Sequence, residues 1–304
     1  MKQKSKTSIL AVVTQKGGAG KTTTSVNLAA SFAELGHKTL LIDMDYQANA
    51  TSWLGKKEDA ITHDKCISRV LLDKSESYFK YGELVMPTRI ANLDILAGDS
   101  NLQRVPSEML SKSGSEFLLK DYMRALKNEV FDQYQYIIID THPSIDLLLF
   151  NALQAANYYL IPMQSEADAF DGLGYMFDCV RSLKKRNTQL FCLGVVITAF
   201  TGKGVHKELF PIVQKFLKEK KMKIRGIIPW SSVPARASHD RITFIESSNP
   251  NWRKVRDSYR DLAQSLSKDL IGTRQGQAQK VPDLGTLPRI IQTPDISGIG
   301  LELT

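Results

Sequence analysis

The sequence predicts an α/β fold: a doubly wound, mostly parallel sheet with helices on both faces. Three observations predict it. Short runs rich in β-branched residues alternate with helix-like stretches along the chain. The runs are continuously apolar, as in strands covered on both faces. A glycine-rich turn stands where the first run passes into the first helical stretch, the place where open α/β sheets bind ligands.

The elements follow in order. Ile9–Val13 reads as a buried strand, and Thr22–Leu35 as a helix with apolar Val26, Leu28, Ala29, Phe32 and Ala33. Thr39–Ile42 is strand-like. Residues 46–92 carry no long periodic stretch and read as loops and short helices beside the sheet. Further strands are expected at Ile137–Ile139, Tyr158–Ile161, Leu193–Ile197 and Ile224–Ile228, with helices at Ser115–Val130, Leu148–Ala156, Leu173–Lys185 and Lys207–Lys221. Residues 1–7 form a basic N-terminal extension, and 8–271 one domain. Residues 272–304 hold five glycines and three prolines with cancelling charges, so they read as a flexible tail.

Composition narrows the function. Apolar residues make up 42% of 304, enough for a sizeable core. The net charge is +8, but residues 181–260 hold 18 Lys/Arg against 5 Asp/Glu, so the rest of the chain sums to −5. A basic third on a slightly acidic body points to a polyanion-facing surface. Cys66, Cys179 and Cys192 are too scattered for a disulfide framework or a zinc site and fit a reducing cytoplasm. No stretch is long and apolar enough to be read as a membrane span, and the run ending at Val13 is too short for a secretory signal.

The strongest signal is Thr14-Gln15-Lys16-Gly17-Gly18-Ala19-Gly20-Lys21-Thr22-Thr23. Between a strand and a helix, such glycines let backbone N–H groups wrap phosphates, and the helix N-terminus adds its positive end. Lys21 is placed to reach the β- and γ-phosphates, and the Thr22 hydroxyl to bind Mg²⁺. The ordinary G-x-x-x-x-G-K-S/T pattern is not met, because its first glycine falls on Gln15. Asp43 and Asp45 end one strand two residues apart and so approach one site. Asp140 ends another after four apolar residues.

Lys16 through Thr23 resembles the deviant Walker A loop of the ParA/MinD ATPases. Leu40 to Thr51 resembles their switch I, Tyr136 to Ser144 their Walker B and switch II, and Pro162, Gln164, Glu166 and Gly172-Leu173 the next block. Ile227-Ile228-Pro229 resembles the strand end near the nucleotide base. The resemblance spans about residues 8–270 and is to the short, Soj-like members.

The resemblance implies an ATPase with ATP and Mg²⁺ as ligands. It makes Lys16, Lys21 and Asp45 catalytic, with Asp45 orienting the attacking water. It places Gly17, Gly18, Ala19, Gly20 and Thr23 on the phosphates, and assigns Mg²⁺ to Thr22, Asp43 and Asp140, with Asp43 in the outer shell. Pro229 and Ser231 stand at the base-contacting positions. Lys16 serves either its own phosphates or, as the family implies, those of a second subunit in an ATP-dependent homodimer. Implied partners are DNA of any sequence and a ParB-like or other stimulating protein, with the dimer cytoplasmic and on the nucleoid. Arg236, Arg241 and Arg256 are the DNA contacts expected first, ahead of the run Lys215, Lys218, Lys220, Lys221 and Lys223. The cargo reads as plasmid or chromosome, with positioning of a protein assembly as the alternative. A MinD-like membrane association is not expected, because the C-terminal end lacks a basic amphipathic helix. In the switch segments three residues depart from the family pattern, Tyr46 and His142 for prolines and Ala48 for glycine, and after Pro229 the stretch Trp230 to Arg236 does not match the arginines usual there.

Overall fold

The fold grows from strands whose two faces are both apolar. In the computed structural model, which describes residues 7–73, 78–166, 169–184 and 186–272, Leu10 and Val12 point into one layer of the core and Ala11 and Val13 into the other. The same split separates Leu41 and Ile138 from Leu40, Ile42, Ile137 and Ile139. This is why the strands read as unbroken apolar runs.

In chain order the elements are β1 (Ser8–Val12), α1 (Lys21–Glu34), β2 (Thr39–Met44), α2 (Asn49–Trp53), α3 (Lys57–Thr62), α4 (Ser68–Leu71), β3 (Met86–Pro87) and β4 (Leu93–Leu96). Then come α5 (Val105–Met109), α6 (Leu118–Ala125), β5 (Tyr136–Thr141), α7 (Leu147–Ala155), β6 (Tyr158–Gln164) and α8 (Ala169–Lys184). The chain continues through β7 (Phe191–Phe200), α9 (Gly204–Glu219), β8 (Ile224–Pro229), α10 (Val233–His239) and α11 (Arg253–Gly272). They build an eight-stranded sheet of order β3-β4-β2-β5-β1-β6-β7-β8. Among the described strands, only the two-residue β3 pairs antiparallel. Helices α1 and α11 cover one face, and α6, α7, α8 and α9 the other.

The doubly wound parallel architecture is the one expected. Three details differ. Residues 46–92 do contain short helices, but β3 and the following β4 extend the sheet beyond them. Asp94 interrupts β4's apolar pattern; it is ion-paired to Lys38 at 2.6 Å and accepts from the Tyr134 hydroxyl at 2.7 Å. The helix expected over 115–130 is regular only from Leu118 to Ala125. The long α11, seen in the sequence only as a series of cations, buries Val255, Tyr259, Leu262, Ala263, Leu266 and Leu270. The N-terminal extension and the tail lie outside the described residues, apart from Thr7 and Gly272.

Candidate active site

The glycine loop leaves β1 at the centre of the sheet and is pinned from neighbouring strand ends. Val13 N–H donates to the Leu160 carbonyl at 3.0 Å. Gln164 at the end of β6 donates to the Gly18 carbonyl at 3.2 Å, and Thr198 on β7 to the Ala19 carbonyl at 2.8 Å. Gly18 and Gly20 sit at φ of 75° and 84°, a region that costs other L-residues 1–2 kcal/mol, roughly. Gly20 caps α1 without a side-chain hydrogen bond, so no side chain caps the N–H groups of the first turn. Lys21 is buried, with its ammonium 3.4 Å from the Lys16 carbonyl. Burial pushes its pKa down, opposed by the charges of Asp140 and then Asp45.

Asp43 and Asp140 are cross-strand partners on β2 and β5, and both are fully buried. Asp140 Oδ1 accepts from the Ser25 hydroxyl at 2.8 Å, while its Oδ2 has no partner among the described residues. Burial and then the charge of Asp43 raise the Asp140 carboxyl well above its usual range, against the Ser25 and Thr22 hydroxyls. An orphaned buried carboxylate oxygen near the phosphate loop fits a hydrated Mg²⁺. The donor set therefore suits the expected metal.

Asp43 has a different environment. Its Oδ2 accepts from the Thr51 amide at 2.8 Å and the Thr51 hydroxyl at 2.7 Å, and its Oδ1 from the Asp45 amide at 3.1 Å. Both oxygens are thus engaged by the loop that follows β2. Thr51 Oγ1 in turn accepts from the Gly98 amide at 3.0 Å. A Cβ on Gly98 would lie 2.7 Å from the Asp43 carbonyl and 3.1 Å from that of Asp45, so only glycine fits there. Asp45 is nearly buried and accepts from the Gln47 amide at 2.9 Å.

Lys16 at the lip of the loop forms an ion pair with Glu166, just past β6, and His206 lies 4.0 Å from the other Glu166 oxygen. On the far side of the site, Tyr46 and His142 meet ring edge to ring, with centroids 5.5 Å apart. The buried His142 shares a 2.8 Å hydrogen bond with Asp146, which caps α7 by accepting from the Leu148 amide at 2.9 Å. Two of the three switch-segment departures from the family pattern thus touch each other. The third, Ala48, holds φ 52° and ψ 40° at the start of α2.

Pro229 and Ser231 line a cleft with Gly18, Gly20 and Thr23, so the expected base side and phosphate side belong to one pocket. Sequence reasoning missed Phe244, Val255 and Tyr259, which complete its wall. The Phe244 amide donates to Asn27 Oδ1 at 2.8 Å, and Trp53 Nε1 at the end of α2 donates to the Ile242 carbonyl at 3.0 Å. The three candidate arginines do not form one free cluster. Arg236 lies 3.5 Å from Asp240, and Arg241 pairs with Glu58 at 3.0 Å. Arg256 is largely covered and donates to the Ser247 carbonyl. Among the described residues no His/Cys/Asp/Glu group has the makings of a protein-only metal site, and no helix is long and apolar enough to cross a membrane.

Comparison with known proteins agrees with this geometry. The family described as "AAA domain" matches residues 7–192. The sporulation initiation inhibitor protein Soj of Bacillus subtilis is 36% identical over 264 residues, covering 85% of this chain and 98% of its own. The chromosome partitioning protein ParA of Myxococcus xanthus is 40% identical over 197 residues, covering 64% of this chain and 66% of its own. Among solved structures, a plasmid partition protein from Borrelia burgdorferi bound to AMPPNP superposes with a TM-score of 0.70 at 27% identity, covering 87% of this chain and all of that one.

Proposed function

The chain belongs to the ParA/MinD family of P-loop ATPases, alongside the Soj-like partition proteins, and on that premise we propose that it is an ATP-driven dimerisation switch that moves or positions DNA. ATP binds with its phosphates in the glycine loop and its base against Pro229, Ser231 and the wall that Phe244 and Tyr259 complete. The observation that carries this reading is the buried Lys21 between the loop and two buried carboxylates, Asp45 and Asp140. AMPPNP bound to the Borrelia relative supports it.

Each residue then has a task. Lys21 neutralises the β- and γ-phosphates. Thr22 and Asp140 are the residues that would hold Mg²⁺, which would supply positive charge to offset that of the phosphates. Asp45 orients the water that attacks the γ-phosphate. Lys16 leaves Glu166 on dimerisation and supplies positive charge to the phosphates of the second subunit, as an arginine finger does. Asp43 holds the loop that carries Asp45. ATP thereby joins two subunits and hydrolysis releases them. The dimer binds duplex DNA without sequence preference, and a partner of the ParB kind stimulates turnover.

The test is Asp45→Ala. Removing a water-orienting carboxylate acts on the transition state and not on phosphate binding. The variant is expected to bind ATP and accumulate as a dimer in sedimentation while turnover disappears. Turnover at the wild-type rate would remove Asp45 from the mechanism.

A further inference from the structure

We infer that the lysine corner at the end of α9, and not the arginines of the basic third, takes the phosphates of duplex DNA; the inference rests on the DNA-binding reading above. Much of the positive charge of the basic third is already matched by carboxylates. All eight arginines between residues 181 and 260 lie within 3.7 Å of a carboxylate. Several of those acids come from outside the segment, such as Glu58 for Arg241 and Asp269 for Arg225. Arg253 and Arg256 share Asp257, so seven carboxylates face the eight arginines, and the uncompensated charge of this region resides mainly on its lysines.

Those lysines are concentrated. Residues 215–223 hold Lys215, Lys218, Lys220, Lys221 and Lys223 against the single acid Glu219. Lys215, Lys218, Lys221 and Lys223 are exposed. None of these four has an ion pair or a side-chain hydrogen bond among the described residues. Lys215 and Lys218 are one turn apart on α9, so they share a face. Lys221 closes the helix at φ 57°, a left-handed position that glycine fills without strain. The chain thus keeps a cation where geometry favours a residue without a side chain. Lysine ammonium groups with no acidic partner release counterions on meeting phosphates, whereas an arginine already paired must first give up its carboxylate.

Placement agrees with charge. The strand β8 that follows runs parallel to the rest of the sheet, so the corner between α9 and β8 lies at the sheet's amino edge. The glycine loop lies at its carboxyl edge. A duplex at the corner leaves the nucleotide site clear, and an ATP-joined dimer carries two such corners, which gives bivalent attachment.

The experiment uses the full chain with Mg²⁺ and ATP on two unrelated duplexes over a salt series. The double variant Lys218→Gln/Lys221→Gln is compared with Arg236→Gln/Arg241→Gln and with Lys218→Arg/Lys221→Arg, each checked for an unchanged melting temperature. The lysine-to-glutamine pair is expected to weaken both duplexes equally, by about tenfold or more, and to lower the salt slope by about 2 per engaged chain. The arginine pair is expected to change affinity less than about threefold, and the lysine-to-arginine pair to bind as wild type. Wild-type affinity and slope in the lysine-to-glutamine pair would overturn the inference while leaving the DNA reading intact. A wild-type protein that binds neither duplex with ATP would overturn both, and lysine-dependent binding to phosphatidylserine vesicles in its place would assign the corner to a membrane.

Discussion

Thr51 grips Asp43 twice, through its amide at 2.8 Å and its hydroxyl at 2.7 Å, and offers the same hydroxyl oxygen to the Gly98 amide. Asp43 is thereby a clasp on the loop that carries Asp45, whatever water shell it also meets. Thr51→Val keeps the shape and removes the hydroxyl. It leaves the Gly98 amide without a partner, which costs ~1–3 kcal/mol when buried. Urea unfolding is expected to report that loss. Turnover should fall more than ATP affinity, because Asp45 loses its fixed position, and Thr51→Ser should restore both.

Gly98→Ala tests the same clasp from the other side. The added Cβ meets the Asp43 backbone carbonyl at 2.7 Å, and backbone cannot swing away as a flexible side chain would. Overpacking of this kind costs ~1–3 kcal/mol. The expected outcome is a lower urea midpoint with an unchanged slope, together with reduced turnover.

Lys16 and Glu166 are paired in the single chain, and that pair must open before Lys16 can act across an interface. The pair is partly exposed, so opening it costs at most ~1 kcal/mol. Glu166→Gln is expected to lower the protein concentration needed for ATP-dependent dimerisation by up to about 25-fold, because one such pair opens in each of the two subunits. Lys16→Ala should abolish that dimerisation while retaining some nucleotide. Sedimentation with ATP measures both. A Lys16→Ala protein that dimerises normally would return the lysine to its own phosphates.

Ala48 occupies the left-handed region at φ 52°, where the ParA/MinD pattern has glycine. Ala48→Gly removes a strain of ~1–2 kcal/mol but adds freedom to the unfolded chain worth ~0.4–1 kcal/mol. The net expectation is a gain of about 0.5–1 kcal/mol in urea unfolding. A loss would mean that the alanine methyl, buried in the loop, contributes more packing than the strain removes.

The parts of this fold that sequence made legible are those whose signal is local. The glycine loop, Lys21, Asp43 and Asp140 announce themselves because strand, turn and helix follow one another without a break. The clasp was not legible, since Gly98 lies 47 residues from Thr51. Tyr259 belongs to the cleft because α11 packs on α1, and Phe244 because its amide is held by Asn27 of α1. That helix itself was hidden under its charges, although Val255, Tyr259, Leu262 and Leu266 recur at helical spacing. Arginine and lysine look alike in a count of charge. The structure separates the paired arginines from Lys215, Lys218, Lys221 and Lys223, which have no acidic partner among the described residues.

The bond from the Trp53 indole to the Ile242 carbonyl has a kinetic consequence. Trp53 ends the helix that Thr51 anchors, and Ile242 stands two residues from Phe244, whose amide is held by Asn27 of α1. The loop after β2 and the segment 242–244 are therefore fastened at both ends, so neither opens alone. Amide hydrogens in the two segments should exchange with solvent at matched rates, slow together when ATP analogue fills the loop, and speed up together in Trp53→Phe, which keeps the ring but lacks the donor.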